Sequence, residues 1–209
     1  MLRRLLPLLV VFFVGLGLLV QAQARKPLSP PGTAATQVGG EWVKGERGTS
    51  YQNGKWIEVT YGRPIKRGRV LFGSGADYGK TLNPDAPVWR AGANQTTRLK
   101  TEVPLQFAGK TVPAGEYDVF VDLNPKTWTL ILSTLPFQEK YNPEDKTAVF
   151  GAYNYTPDKD VLRAPMELSV LPFSMDQFTI AFVDMTNTGG KLAMMWDKTM
   201  ASVPFKVGS

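Results

Sequence analysis

Short stretches in which apolar and polar residues alternate, each bounded by turn formers, dominate this chain. Residues 56–61, 117–123, 127–133, 177–184, 191–197 and 202–207 all follow this pattern and are rich in β-branched or aromatic side chains. A period of two puts successive side chains on opposite faces of an extended strand, and a helix would require a period near 3.6. No run of ten or more residues carries the helical period. Two hairpins are legible. In the first, Asn124-Pro125-Lys126 joins a strand whose Tyr117, Val119, Val121 and Leu123 share one face to another on which Trp128, Leu130 and Leu132 align. Pro125 fixes its own φ and donates no ladder hydrogen bond, so it suits a turn. In the second, Phe178, Ile180 and Phe182 face Leu192, Met194 and Trp196 across Asn187-Thr188-Gly189-Gly190, where glycine permits positive φ. Many short strands without helices to cover a parallel sheet predict an all-β fold. The expected form is an antiparallel β-sandwich, jelly-roll or Ig-like, with a barrel as the alternative.

The first 24 residues have a different character. Arg3 and Arg4 precede an apolar run over 5–20, and Ala22-Gln23-Ala24 has the small-x-small form that a signal peptidase accepts. The run is shorter than the ~20 residues a bilayer span needs and contains Pro7, Gly15 and Gly17. Cleavage after Ala24 is therefore expected, giving a periplasmic or secreted protein with no stable membrane span. Residues 25–40, with three prolines, three glycines and few large apolar side chains, are expected to form a flexible leader, and 41–209 a single domain. Loss of Arg3 and Arg4 with the first 24 residues lowers the formal charge from +6 to +4. That excess is too small and too dispersed to predict nucleic-acid binding.

The chain has no cysteine and no histidine. This excludes Ser-His-Asp and cysteine nucleophiles, Cys/His metal sites and a disulfide framework. No Ser-x-x-Lys occurs either. The run Gly73-Ser74-Gly75-Ala76-Asp77-Tyr78-Gly79-Lys80-Thr81 imitates a phosphate loop. However, Ser74 stands where the first glycine belongs, and Pro84 and Pro87 prevent the helix that must follow. Asp77, Asp85, Glu116, Asp118 and Asp122 could supply a carboxylate pair for hydrolysis, but nothing in the sequence fixes their separation. Asp118 and Asp122 alternate on what reads as a solvent face. Asp158-Lys159-Asp160 lacks the further oxygen ligands calcium requires and reads as a turn. No cofactor and no metal site is expected.

The segment from Tyr61 to Arg98 interleaves five arginines with glycines and aromatics. Arginine offers planar, bidentate donors to carboxylates, phosphates and vicinal hydroxyls, and Trp or Tyr offers a flat face to sugar rings. Tyr61, Arg63, Arg69, Trp89, Arg90 and Asn94 are the candidate ligand-binding residues, with Arg63, Arg69, Arg90 and Asn94 expected to converge. The competing reading is a structural clasp in which arginines bind loop carbonyls.

The same residues carry a resemblance. Tyr61-Gly62-Arg63-Pro64, Lys66-Arg67-Gly68-Arg69, Phe72-Gly73, Trp89-Arg90-Ala91-Gly92-Ala93-Asn94, Ala114-Gly115-Glu116-Tyr117 and Trp128 resemble the exported bacterial family named domain of unknown function 2911. The resemblance implies a β-rich envelope or secreted domain and no particular activity. Gln95 stands where relatives often carry an acidic residue, so any activity depending on that carboxylate would be missing here. The leading expectation is a non-enzymatic binder of an envelope glycan or anionic small ligand. The alternatives are a carboxylate-dependent hydrolase and a structural or protein-partner module.

Overall fold

A computed structural model describes residues 27–208. The signal segment lies outside the described residues. Eleven strands form: β1 (Pro31–Val38), β2 (Glu41–Gly45), β3 (Gly48–Gln52), β4 (Lys55–Gly62), β5 (Thr97–Thr101), β6 (Leu105–Phe107), β7 (Lys110–Val112), β8 (Gly115–Asp122), β9 (Trp128–Ser133), β10 (Asp160–Thr186) and β11 (Gly189–Val207). Nine of them make one antiparallel sheet in the order β1-β4-β5-β8-β9-β10-β11-β6-β7, and β2 and β3 form a separate hairpin. Among the described residues no helix is long and apolar enough to cross a membrane.

The long strands β10 and β11 turn this sheet into a sandwich. The start of β10 pairs with β9 from Asp160 to Met166, while its distal part pairs with β11, with register breaks around Met175. Bulges bend and twist a strand, so a single β10 can serve two layers. The folded sheet brings β4 against distal β10. There the Tyr61 hydroxyl accepts the Ile180 N–H at 2.9 Å, and Ile65 makes an isolated bridge to Gln177. The outer strands β1 and β7 do not pair, so the sheet is open and the barrel alternative is set aside.

Both predicted hairpins are present, with the predicted residues aligned on one face. Val119 opposes Leu132 and Val121 opposes Leu130, while Ile180 opposes Met194 and Phe182 opposes Leu192. Tyr117, Val119, Val121, Trp128, Leu130 and Leu132 all face the shared interior with Phe178, Ile180, Met194 and Trp196. Trp128 is 1% exposed, and its indole N–H donates to the Tyr78 hydroxyl at 3.0 Å.

Two expectations are corrected. The predicted flexible leader supplies β1, which pairs with β4 over eight residues from Pro31 opposite Gly62 to Val38 opposite Lys55. An edge strand draws much of its stability from ladder hydrogen bonds, so it needs only the few inward side chains Ala34 and Val38 provide. Pro31, which cannot donate, is tolerated at its start. Asp118, expected on a solvent face, is fully buried. Residues 134–159 lie over that face and seal it with Val88, Phe120, Ile131, Leu135, Val149 and Ala152, a second apolar cluster.

Two outcomes follow from this architecture. Trp128→Ala is expected to lose about 3–5 kcal/mol in denaturant unfolding, because a large cavity opens in a close-packed interior. A protein beginning at Gly39 is expected to melt several degrees below one beginning at Pro27. Equal melting temperatures would show that β1 adds nothing to the sheet.

Candidate functional site

Residues 63–96 connect β4 to β5 without a strand of their own, and close backbone contact ties their two ends together. A Cβ on Gly62 would lie 2.0 Å from the Ala93 carbonyl oxygen, and one on Gly92 would lie 2.9 Å from that of Gly62. Only glycine admits this approach. Toward the end of the connection, Trp89 exchanges two 2.8 Å backbone hydrogen bonds with Val121 of β8. Its ring is 2% exposed and stacks on Trp196 at 6.1 Å and 11°, with Phe178 and Trp128 set edgewise. Trp89 therefore belongs to the core and offers no face to a ligand.

The other candidates separate. Tyr61 turns its ring edgewise onto Phe178, and its hydroxyl is held by the Ile180 backbone. Arg63 lies along β1, its Cδ only 2.2 Å from where a Cβ on Gly32 would stand, and its Nε is buried without a partner. Arg69 donates to the carbonyls of Ile65 and Lys66 at 2.7 and 3.1 Å and sits over the Trp196 ring. It lines a shallow depression with Lys66, Val70, Asp197 and Thr199. Arg90 and Asn94 do meet, the Arg90 guanidinium donating to the Asn94 carbonyl at 2.8 Å while resting against Gly151 and the Tyr153 ring. Asn94, at φ 65°, donates through its amide to Ser29 O at 3.2 Å. The expected four-residue convergence thus reduces to one pair, because Arg69 and Arg90 are each taken up by carbonyls of their own stretch of the connection while Arg63 lies along β1.

A groove of about 620 Å³ opens beside that pair. Its floor is the outer face of β4, β5 and β8, with Thr60, Arg98, Lys100 and Glu116, and its walls are Ala93–Thr96 and Phe137–Lys140. Arg98 organises it. One guanidinium nitrogen contacts Asp118 Oδ1 at 2.7 Å, the other contacts Glu116 at 3.2 Å, and the cation lies 3.7 Å from the Phe137 ring centre. Lys100 contacts Glu116 at 3.2 Å. Gln95 donates to Glu139 O at 2.8 Å and Thr96 to Gly151 O at 3.2 Å, fastening the connection to the covering segment. Buried Gln138 shapes that segment internally, donating to the carbonyls of Asp145 and Ala148 and accepting the Asn142 N–H. Arg98 stood at the end of the singled-out segment and Glu116 was weighed only as one of five carboxylates, but Lys100 and Phe137 escaped sequence reasoning. The usable signal was the alternation of Arg98 and Lys100 in one strand against Glu116 and Asp118 in another.

The carboxyl groups divide sharply. Burial pushes Asp118 up to about 6 although Arg98 opposes the shift, whereas hydrogen bonds from Lys100 and Arg98 hold Glu116 below the usual carboxylate range. The register places Asp118, Ser133 and Asp160 on one transverse row, and each keeps a buried side-chain oxygen without a hydrogen-bond partner. The other Asp160 oxygen accepts from Tyr155 and Arg163, which anchors the turn at Asp158 to Asp160. A general acid for hydrolysis must reach the leaving group. Here the carboxyl with the raised proton affinity is sealed beneath the groove, and Glu116 in the groove is held ionised. Among the described residues no group of three or more acidic side chains is arranged to hold a metal ion.

Asp118 gives stability a characteristic pH dependence. Its folded value near 6 exceeds the unfolded value near 4, so between these limits the native state holds a proton that the unfolded chain releases. Stability from this group is greatest below pH ~4 and declines as pH rises through ~6. Relative to Asp118→Asn, the unmodified protein is expected to lose on the order of 2 kcal/mol between pH 4.5 and 7 in denaturant titrations. A pH-independent difference would refute the burial effect.

No curated protein and no solved structure matches the chain. The family model described as Protein of unknown function (DUF2911) matches residues 46–205. That span runs from the β2–β3 hairpin almost to the end of β11 and takes in the Gly62–Gly92 contact, the core tryptophans and Arg98, and the chain belongs to this family.

Proposed function

We propose that the protein is a non-catalytic binder of a polyhydroxylated ligand, a neutral or weakly acidic glycan, held in the groove between β4-β5-β8 and Phe137–Lys140. The carrying observation is the groove's lining. Arg98, Lys100 and Lys140 are matched in number by Glu58, Glu116 and Glu139, with the amides of Asn94 and Gln95 among them. Balanced charges do not favour a polyanion, while paired planar donors and acceptors suit the vicinal hydroxyls of a sugar. Phe137 is 40% exposed at the wall, and the same covering segment carries two further exposed aromatics, Tyr141 and Tyr153, packed against each other. Such faces complement the apolar side of a sugar ring. The sealed position of Asp118 and the ionised state of Glu116 weigh against the hydrolase alternative. The signal-like pattern of the first 24 residues supports a site of action in the cell envelope or outside the cell, where such a ligand is found.

Calorimetric titration with neutral and acidic envelope oligosaccharides tests the reading. Lys100→Ala and Phe137→Ala are each expected to weaken binding about tenfold, equivalent to about 1.4 kcal/mol. Lys100→Ala should leave the melting temperature nearly unchanged, since an exposed ion pair contributes little to stability. Unchanged affinity in both variants, or release of reducing sugar ends by the unmodified protein, would refute a binding groove without catalysis.

A further inference from the structure

Away from the groove, the bend of β10 leaves Val170-Leu171-Pro172-Phe173 as a run of apolar residues at the surface, with Val170 82% and Phe173 55% exposed. Such a run is a liability in a soluble protein unless something covers it. Val70, 78% exposed, comes to the same corner from the β4–β5 connection. The juxtaposition is firmly built. Val170 pairs with Thr199, which shares the shallow depression with Val70, while Ser174, next to Phe173, donates to Asp197 at 2.7 Å.

The corner is also cationic. Lys66 to Arg69 make a tight turn closed by the Arg69 N–H on the Lys66 carbonyl at 3.1 Å, with Arg67 at φ 50° and Gly68 at φ 72° as its centre. Positive φ at both central positions is the type I′ form, which sets Arg67 at an exposed tip. Lys198 is exposed on β11 next to Asp197. Of the nearby acids, Asp197 is neutralised by Lys66 at 2.6 Å, and Asp176 accepts the Arg67 backbone N–H at 3.2 Å. Among the described residues Arg67, Arg69 and Lys198 make no salt bridge, so the corner presents apolar tips ringed by positive charge.

We infer that this corner docks on the surface of an anionic phospholipid bilayer, with Val170, Phe173 and Val70 entering the headgroup and upper acyl region while Arg67, Arg69 and Lys198 meet lipid phosphates. Apolar insertion and cationic attraction are the two contributions that peripheral membrane binding combines. A protruding bulge suits a deformable lipid surface better than a preformed pocket.

Because the chain has no cysteine, Val170→Cys in the full chain gives a single labelling site for an environment-sensitive fluorophore. Vesicles of phosphatidylcholine and phosphatidylglycerol are expected to shift its emission to the blue, and a nitroxide-bearing lipid should quench it. The same label at Lys146→Cys, exposed on the segment covering the other layer, should do neither. Adding Arg67→Glu and Arg69→Glu to the labelled protein is expected to weaken the apparent vesicle affinity at least tenfold. No shift at position 170, an equal shift at 146, or an equal response to phosphatidylcholine alone would overturn the inference. A shift that grows with protein concentration without vesicles would assign the patch to a second copy of the chain. Oligosaccharide binding in the groove is measured independently, so either reading can fail alone.

Discussion

The stacking of Trp89 on Trp196 holds the rest of the structure in place. Trp196 belongs to the second layer of the sandwich, Trp128 and Val121 to the first, and Trp89 to the connection that crosses between them. A chain without disulfides relies on packing to reinforce the few hydrogen bonds and the shared strand that join its layers, and large aromatic rings bury the most apolar area for each residue fixed. The connection is therefore part of the core. Its backbone pairing with Val121 determines where Arg90 and Asn94 emerge, and so where the groove begins.

The outer face of β8 and β9 depends on that arrangement. With the interior fixed on one side, Phe120 and Ile131 on the other side need a cover, and residues 134–159 supply it. The cover also traps Asp118 and Ser133, which the strand period places on the same side as Phe120 and Ile131. Burying an ionised carboxylate is costly unless it is paired. Arg98 meets part of that requirement and in doing so is drawn into place at the groove floor beneath Phe137. The groove is thus a consequence of how a buried charge is compensated.

The aromatic surface of the covering segment and the apolar bulge of β10 lie on different parts of the molecule and differ in kind. The first is lined by balanced charges and amides and is suited to a directional, hydrogen-bonding ligand. The second is convex, apolar and ringed by cations, which suits a disordered surface. A protein with both could hold a glycan while resting on a membrane.

The sequence by itself determined the strand class, both hairpins, the inward face of β8 and β9 and the burial of Trp128, because a period of two and turn chemistry are local properties. The glycines of the family motif were also visible, although the Gly62–Gly92 contact that requires them was not. Only the tertiary structure decided that residues 31–38 form an edge strand, since ladder hydrogen bonds leave little trace in side-chain composition. It likewise decided that Trp89 is core, that Arg69 and Arg90 lie apart, and that Asp118 is buried while Lys100 and Phe137 frame the groove. Each of these depends on which distant segment lies opposite a given face. A residue's own neighbours in sequence carry no record of that.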